Sequence, residues 1–219
     1  MSVSLRCYST SLGCPKNRVD TERLLGSLGV ALVPVESPDE AELVFINTCA
    51  FIQPATEESV RTIAQAIADI EELPKRPLLA VAGCLVGRYH AEDLAPELPE
   101  VDLWLDNSDL EAWPAMLARK LGLPEPTVPG RILSTGPSYA WLKISDGCRH
   151  ACSFCAIPNI RGGHRSHCKD MIVREARALL DQGVKELNLV AQDLTEWGCD
   201  LDGKQDLRTL LDGLLPLQG

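Results

Sequence analysis

No stretch of the 219 residues approaches the roughly 18 uninterrupted apolar positions that mark a membrane-spanning helix. The start, MSVSLRCYST, lacks the basic segment and apolar run of a secretory leader. The expectation is therefore a cytosolic chain with no membrane partner, and at 45% apolar residues it has material for a sizeable core. The cytosol keeps thiols reduced, and the nine cysteines are an odd number, so metal binding or catalysis accounts for them better than disulfides. Basic charge is also short, with 21 Lys and Arg against 31 Asp and Glu, a net of −10. The deficit is uneven: residues 1–138 carry 11 basic against 20 acidic groups, and 139–219 carry 10 against 11. An acidic N-terminal half disfavours direct nucleic-acid binding by this portion and suits a basic protein partner.

Acid is missing from one place altogether. From Gly147 to Lys169 there is no Asp or Glu, while Arg149, His150, Arg161, His164, Arg165, His167 and Lys169 all fall there. Such an island of positive charge would stabilise an anionic thiolate cluster and attract a carboxylate. Within it stand Cys148, Cys152 and Cys155, with three and then two residues between them. Closely spaced Cys runs are how a four-iron cluster is held, and three thiols leave one iron open for chemistry. Zinc is the rival, since structural zinc takes four ligands and His150 or His164 could complete such a set.

Strand and helix patterns alternate before this stretch. Strands are expected at 3–9, at about 30–35, and over Leu43–Thr48, Leu78–Ala82 and Val101–Leu105. Between them fall a helix with Val19, Leu24, Leu25 and Leu28 inward and Gly29 closing it, and another over 55–72. The second carries Val60, Ile63, Ile67 and Ile70 as its apolar stripe and Glu57 and Glu58 in its first turn. Ser108 to Glu111 reads as a capping box for a last helix ending near Leu121, although Pro114 argues for a later start. The pattern predicts an α/β unit over 1–121, an open parallel sheet flanked by helices. Cys14, Cys49 and Cys84 each lie just past the C-terminal end of an expected strand, the edge where such sheets bind ligands. They are 35 and 35 residues apart, and we expect them to meet as a second three-cysteine site; the alternative is three small buried residues used separately.

Residues 122–138 are rich in Pro and Gly and are expected to be a linker. From 139 to 219 the pattern is strand Ala140–Ser145, helix 170–182 capped by Asp170 with Val173, Ala176 and Leu180 inward, strand Glu186–Ala191, and a helix from about 206 to 215. Two βα units in succession open a βα barrel, whose sites lie at strand C-terminal ends, where Cys148 and Gln192-Asp193 fall. A full eight-stranded barrel takes about 250 residues, so the barrel expected here is incomplete.

With Phe154 just before its last cysteine, the Cys148 to Cys155 run resembles the signature of the radical S-adenosylmethionine superfamily. Taken with Ser11-Leu12-Gly13-Cys14-Pro15-Lys16-Asn17, Asn47-Thr48-Cys49, Gly83-Cys84 and Ile157-Pro158, it resembles the radical methylthiotransferases over essentially the whole chain. Pro15-Lys16-Asn17, Ala191-Gln192-Asp193 and Trp197-Gly198 look most like the branch that methylthiolates the β-carbon of an aspartate in small-subunit ribosomal protein twelve. The resemblance implies two [4Fe-4S] clusters, S-adenosyl-L-methionine, a basic ribosomal protein as substrate and an electron donor as partner. It also implies that the 139–219 portion is the start of a radical SAM barrel. Cys148, Cys152 and Cys155 would hold the cluster that cleaves S-adenosylmethionine to a 5′-deoxyadenosyl radical. Phe154 and Gln192 would contact the cofactor, and Cys14, Cys49 and Cys84 would hold the cluster that carries sulfur. Alternatives are the sister branch acting on a tRNA adenosine and a non-catalytic iron-sulfur or zinc protein. Arg165-Ser166-His167-Cys168 departs from the family's Arg-Ser-Arg-Pro; Cys7, Cys168 and Cys199 match no family ligand and are expected to be structural. With only the first barrel units present, these 219 residues are expected to bind clusters without turning over alone.

Overall fold

A computed structural model describes residues 4–126, 130–203 and 205–217, in two compact units that divide between Ile132 and Leu133. The first contains β1 (Ser4–Ser11), α1 (Pro15–Ser27), β2 (Ala31–Pro34), β3 (Leu43–Thr48), α2 (Gln53–Ile70), β4 (Leu78–Gly83), α3 (Cys84–Tyr89), α4 (Ala91–Leu94), β5 (Leu103–Leu105) and α5 (Trp113–Leu121). Its five strands pair in parallel in the order β2-β1-β3-β4-β5. The central strand β3 is buried at every residue, which explains why Leu43-Val44-Phe45-Ile46 is a continuous apolar run and not an alternating one. Leu43 and Phe45 pack with Leu24 and Leu25 of α1, with Leu28 just after it, and with Trp113 and Leu117 of α5. Val44 and Ile46, pointing the other way along the pleat, are equally buried, and α2 packs on β3. The expected parallel sheet flanked by helices is thus the fold.

Several local expectations shift. α2 begins at Gln53 with Pro54 in its first turn, where a missing N–H costs nothing; Glu57 and Glu58 therefore lie beyond that turn, and Val60 is exposed. α5 likewise begins at Trp113 with Pro114 in its first turn. The expected capping box is instead a 3-10 turn, Asn107–Asp109, capped by Asp106, whose carboxylate accepts from the Ser108 amide at 2.6 Å.

The Pro/Gly-rich segment is largely held in place. Gly122 ends α5 in the left-handed region (φ 68°) and Leu123 packs on the first core. Residues 130–132 lie along α1: Gly130 N donates to Ser27 Oγ at 3.2 Å, and Ile132 N donates to the Glu22 carbonyl at 3.1 Å. Arg131 donates twice to the buried Glu22 carboxylate, at 2.9 and 2.6 Å. Val3, on the first expected strand, and residues 127–129 of the linker lie outside the described residues.

The second unit contains β6 (Tyr139–Lys143), β7 (Ser145–Asp146), α6 (Ile157–Arg161), β8 (Arg165–Ser166), α7 (Lys169–Asp181), β9 (Glu186–Val190) and α8 (Leu207–Leu214). β6 and β9 pair in parallel with α7 between them in sequence, as in the opening βαβ of a parallel barrel; β7 and β8 form a short antiparallel pair. The buried positions of α7 are Ile172, Ala176 and Leu179, one residue earlier than expected at two of the three. Cys168 takes the N-cap position of α7, which puts Asp170 inside the first turn. These apolar groups join Ala140, Leu142, Ile144, Val184, Trp197 and Leu210 in a second core.

Candidate metal centres

In the first unit Cys14, Cys49 and Cys84 follow adjacent strands at one edge of the sheet. Cys14 is the N-cap residue of α1, Cys49 comes directly after β3, and Cys84 opens α3 directly after β4. Strand register aligns them: Ser11 pairs with Asn47 and Thr48 with Gly83, so Cys49 and Cys84 occupy the next positions on neighbouring strands. Asn17, fully buried, ties the three loops together. Its Nδ2 donates to the carbonyls of Leu12 (2.9 Å) and Thr48 (2.8 Å), and its Oδ1 lies 3.8 Å from Cys84 Sγ. Ser59 fixes the Cys49 backbone from α2, accepting from its N–H at 3.0 Å and donating to its carbonyl at 2.7 Å. Asn107 Nδ2 lies 3.8 Å from Cys84 Sγ, while Asn47 Oδ1 and Asn107 Oδ1 are buried without a hydrogen-bond partner. Gly13 adopts φ 84°, and a Cβ there would fall 2.7 Å from Cys49 Sγ. Glycine thus keeps space beside that sulfur, and soft thiol donors on loops that follow three adjacent strands fit an iron-sulfur cluster.

In the second unit Cys148, Cys152 and Cys155 lie on the loop between β7 and α6. Cys152 is exposed and the other two are half-buried. Cys148 N donates to the Gly162 carbonyl (3.2 Å) and Cys155 N to the Cys152 carbonyl (3.0 Å). Phe154 is 89% exposed. Gln192 is turned to the loop's root: its Nε2 donates to Asp146 Oδ1 at 3.1 Å, and its Oε1 is a buried acceptor without a hydrogen-bond partner. Asp146 itself is buried. Burial alone would raise its pKa, but the charges of Lys143 and Arg161 and their hydrogen bonds outweigh this and hold it well below the ordinary carboxylate range.

The cationic island meets acids from a later segment and from Asp146 just before it. Arg149 pairs with Glu196 (2.8 Å), His150 with Asp193 (3.2 Å), Arg161 with Asp146 (2.9 Å) and His164 with Asp200 (3.6 Å). Its charge is therefore partly compensated within the unit, which the local composition alone did not predict. Among the described residues, the groups of three His, Cys, Asp or Glu ligand atoms within 4.8 Å of one another are His164-Cys199-Asp200 and His150-Asp193-Glu196. In the first of these, hydrogen bonds already engage His164 (to Ser166 Oγ, 3.0 Å) and Asp200 (from the Ser166 amide, 2.8 Å). Neither thiol triad is drawn in that closely, whereas sulfurs bound at about 2.3 Å to one tetrahedral zinc would be. Of the cysteines expected to be structural, only Cys7 is buried; Cys168 and Cys199 are exposed.

Residues 6–106 match the family model described as "Uncharacterized protein family UPF0004". The chain is 68% identical over 212 residues to the "Ribosomal protein uS12 methylthiotransferase RimO" of Nitratidesulfovibrio vulgaris strain DP4, covering 97% of this chain and 49% of that protein. Identity to the protein of the same name from Lawsonia intracellularis is 58% over 219 residues, all of this chain and 50% of that one. This chain is a relative of the RimO proteins. It spans about half the length of the RimO relatives it matches, and those relatives carry the name of the branch that its motifs resemble. Among solved structures, it resembles the radical S-adenosylmethionine methyltransferase TsrM from Kitasatospora setae, with a TM-score of 0.54 at 11% identity, covering 89% of this chain and 50% of that one. At that identity the likeness is one of fold. The sequence marked Asn17 only as part of a motif and Arg161 only as part of the cationic island, and gave Asn107, Lys143 and Asp146 no role at these sites. Lys143 carried a signal, as a charged residue inside an otherwise apolar strand pattern; Asn107 carried none.

Proposed function

We propose that this chain is part of a radical S-adenosylmethionine methylthiotransferase acting on an aspartate β-carbon of ribosomal protein uS12, working in the cytoplasm with an external electron donor. The observation that carries the reading is the pair of thiol triads on strand-end loops, in a chain up to 68% identical to proteins named for that reaction. Cys148, Cys152 and Cys155 would hold one [4Fe-4S] cluster, and Cys14, Cys49 and Cys84 a second. When bound, such clusters supply the electron that cleaves S-adenosylmethionine and an open iron that carries sulfur. The protein's share is positioning: Asn17 and Ser59 fix the loops of the first triad, and Phe154 and Gln192 would contact S-adenosylmethionine. The relatives' names favour the ribosomal protein over tRNA, as does the acidic first unit.

Anaerobic reconstitution followed by iron and sulfide analysis tests the cluster count. Roughly eight irons per chain are expected for two cubes; a single cube, or zinc alone, would refute the two-cluster reading. In a chain extended to its relatives' length, Cys152→Ala should abolish S-adenosylmethionine cleavage. Cys49→Ala should spare cleavage and lose transfer of the methylthio group to uS12.

A further inference from the structure

The loop of the second triad grows from a buried carboxylate. Asp146 ends β7 with its side chain 5% exposed, and donors from four places converge on it. Lys143 Nζ of β6 lies 2.8 Å from Oδ2, and Arg161 NH1 of α6 lies 2.9 Å from Oδ2 and 3.1 Å from Oδ1. Gln192 Nε2, from just after β9, is 3.1 Å from Oδ1, and the Gly147 amide 2.8 Å from the same oxygen. Lys143 and Arg161 are themselves buried, so their positions are set by packing and not by solvent. The chain then turns at Gly147 (φ 69°), where a Cβ would fall 2.7 Å from the Gly162 carbonyl oxygen, and that same oxygen accepts from Cys148 N. Cys148 is thus held from both sides, by the carboxylate behind it and by Gly162 in front. Cys152, further along, is exposed.

We propose that Asp146 is the positioning residue of the Cys148, Cys152, Cys155 site: its carboxylate locks the root of the loop to β6, α6 and the segment after β9, so that Cys148 is placed to ligate before the cluster arrives. This rests on reading those cysteines as cluster ligands. An ion pair that served stability alone would leave cluster occupancy and electronic structure unchanged in any variant that still folds. A positioning group would alter both, because a preorganised ligand costs less ordering on binding and fixes the geometry of the metal.

The test uses the full chain with Cys14, Cys49 and Cys84 replaced by Ala, so that one site alone is read. It is compared with the same chain carrying Asp146→Asn or Asp146→Glu. After anaerobic reconstitution, iron and sulfide per chain and the electron paramagnetic resonance spectrum of the reduced protein are measured, with far-ultraviolet circular dichroism reporting the fold. The parent should hold about four irons. Asp146→Asn should keep its secondary structure, hold at least threefold less iron and give an altered spectrum, with Asp146→Glu recovering most of both. Iron content and spectrum identical to the parent in Asp146→Asn would overturn the proposal. A parent that takes up no iron would instead overturn the cluster reading, and the positioning role with it. If Asp146→Asn does not fold, Arg161→Lys, which keeps the charge but not the double reach, carries the test: equal loss is expected, and unchanged iron and spectrum would overturn the proposal.

Discussion

At the scale of single residues, burial decides chemistry, and Cys7 is the clearest case. It sits within β1, and burial pushes its thiol up to about 12. In the unfolded chain a thiol ionises near 8.5, so between these two values the folded state binds more protons than the unfolded state. Its contribution to stability is therefore complete below about pH 8.5 and is lost as pH rises toward 12. Between pH 8 and pH 10 the parent should lose about 2 kcal/mol through this group, a loss that Cys7→Ala should not show in urea unfolding at the two pH values. Parallel losses in both proteins would refute the assignment. The sequence marked Cys7 as structural because it matched no ligand motif, and the same reasoning misplaced Cys168 and Cys199, which are exposed. Motif absence carries no information about burial. Cys7 is buried because it falls on the inward side of β1, whereas Cys168 sits at a helix boundary and Cys199 in a turn, where no period applies.

At the scale of elements, the sheet edge was legible because parallel pairing converts sequence order into spatial order. Once Leu43–Thr48 and Leu78–Gly83 are neighbouring parallel strands, the residues that follow them must share an edge, and Cys49 and Cys84 do. The hydrogen bonds that join the loops were not legible, because Asn17 and Asn107 act across distances along the chain that no local pattern encodes. The Cys49 loop gives a test of how tightly this edge is fitted. Gly13→Ala would force a side chain into the left-handed region, at about 1–2 kcal/mol, and would place a Cβ 2.6 Å from Cys49 Cβ and 2.7 Å from its sulfur. The variant is expected to fold, since the sheet core does not involve this position, and to hold about half the parent's iron after reconstitution. Full iron in a folded Gly13→Ala chain would show that the space beside Cys49 admits a Cβ and that this edge is not tightly fitted.

At the scale of the whole molecule, the boundary between units is set by a segment that composition marks only as a linker. Proline and glycine predict a break in regular structure, but they do not say whether the broken chain is held. Residues 130–132 are held, because α1 offers the buried Glu22 carboxylate and the Ser27 hydroxyl as partners. A fragment ending at Ile132 should therefore behave differently from one ending at Glu125. The shorter fragment leaves Glu22 without the Arg131 guanidinium, and removing one partner of a buried pair costs about 3–5 kcal/mol. Urea unfolding of the two fragments should differ by that amount, and Glu22→Gln in the shorter one should recover part of it. The longer fragment contains Cys14, Cys49 and Cys84 with Asn17, Ser59 and Asn107, all the groups that shape the first thiol site, and none of the second. It should take up about four irons on reconstitution, while its Cys49→Ala variant takes up none. A longer fragment that is no more stable than the shorter would show that the 130–132 segment contributes nothing to the first unit; one that is stable yet binds no iron would show that the first triad is not a metal centre by itself.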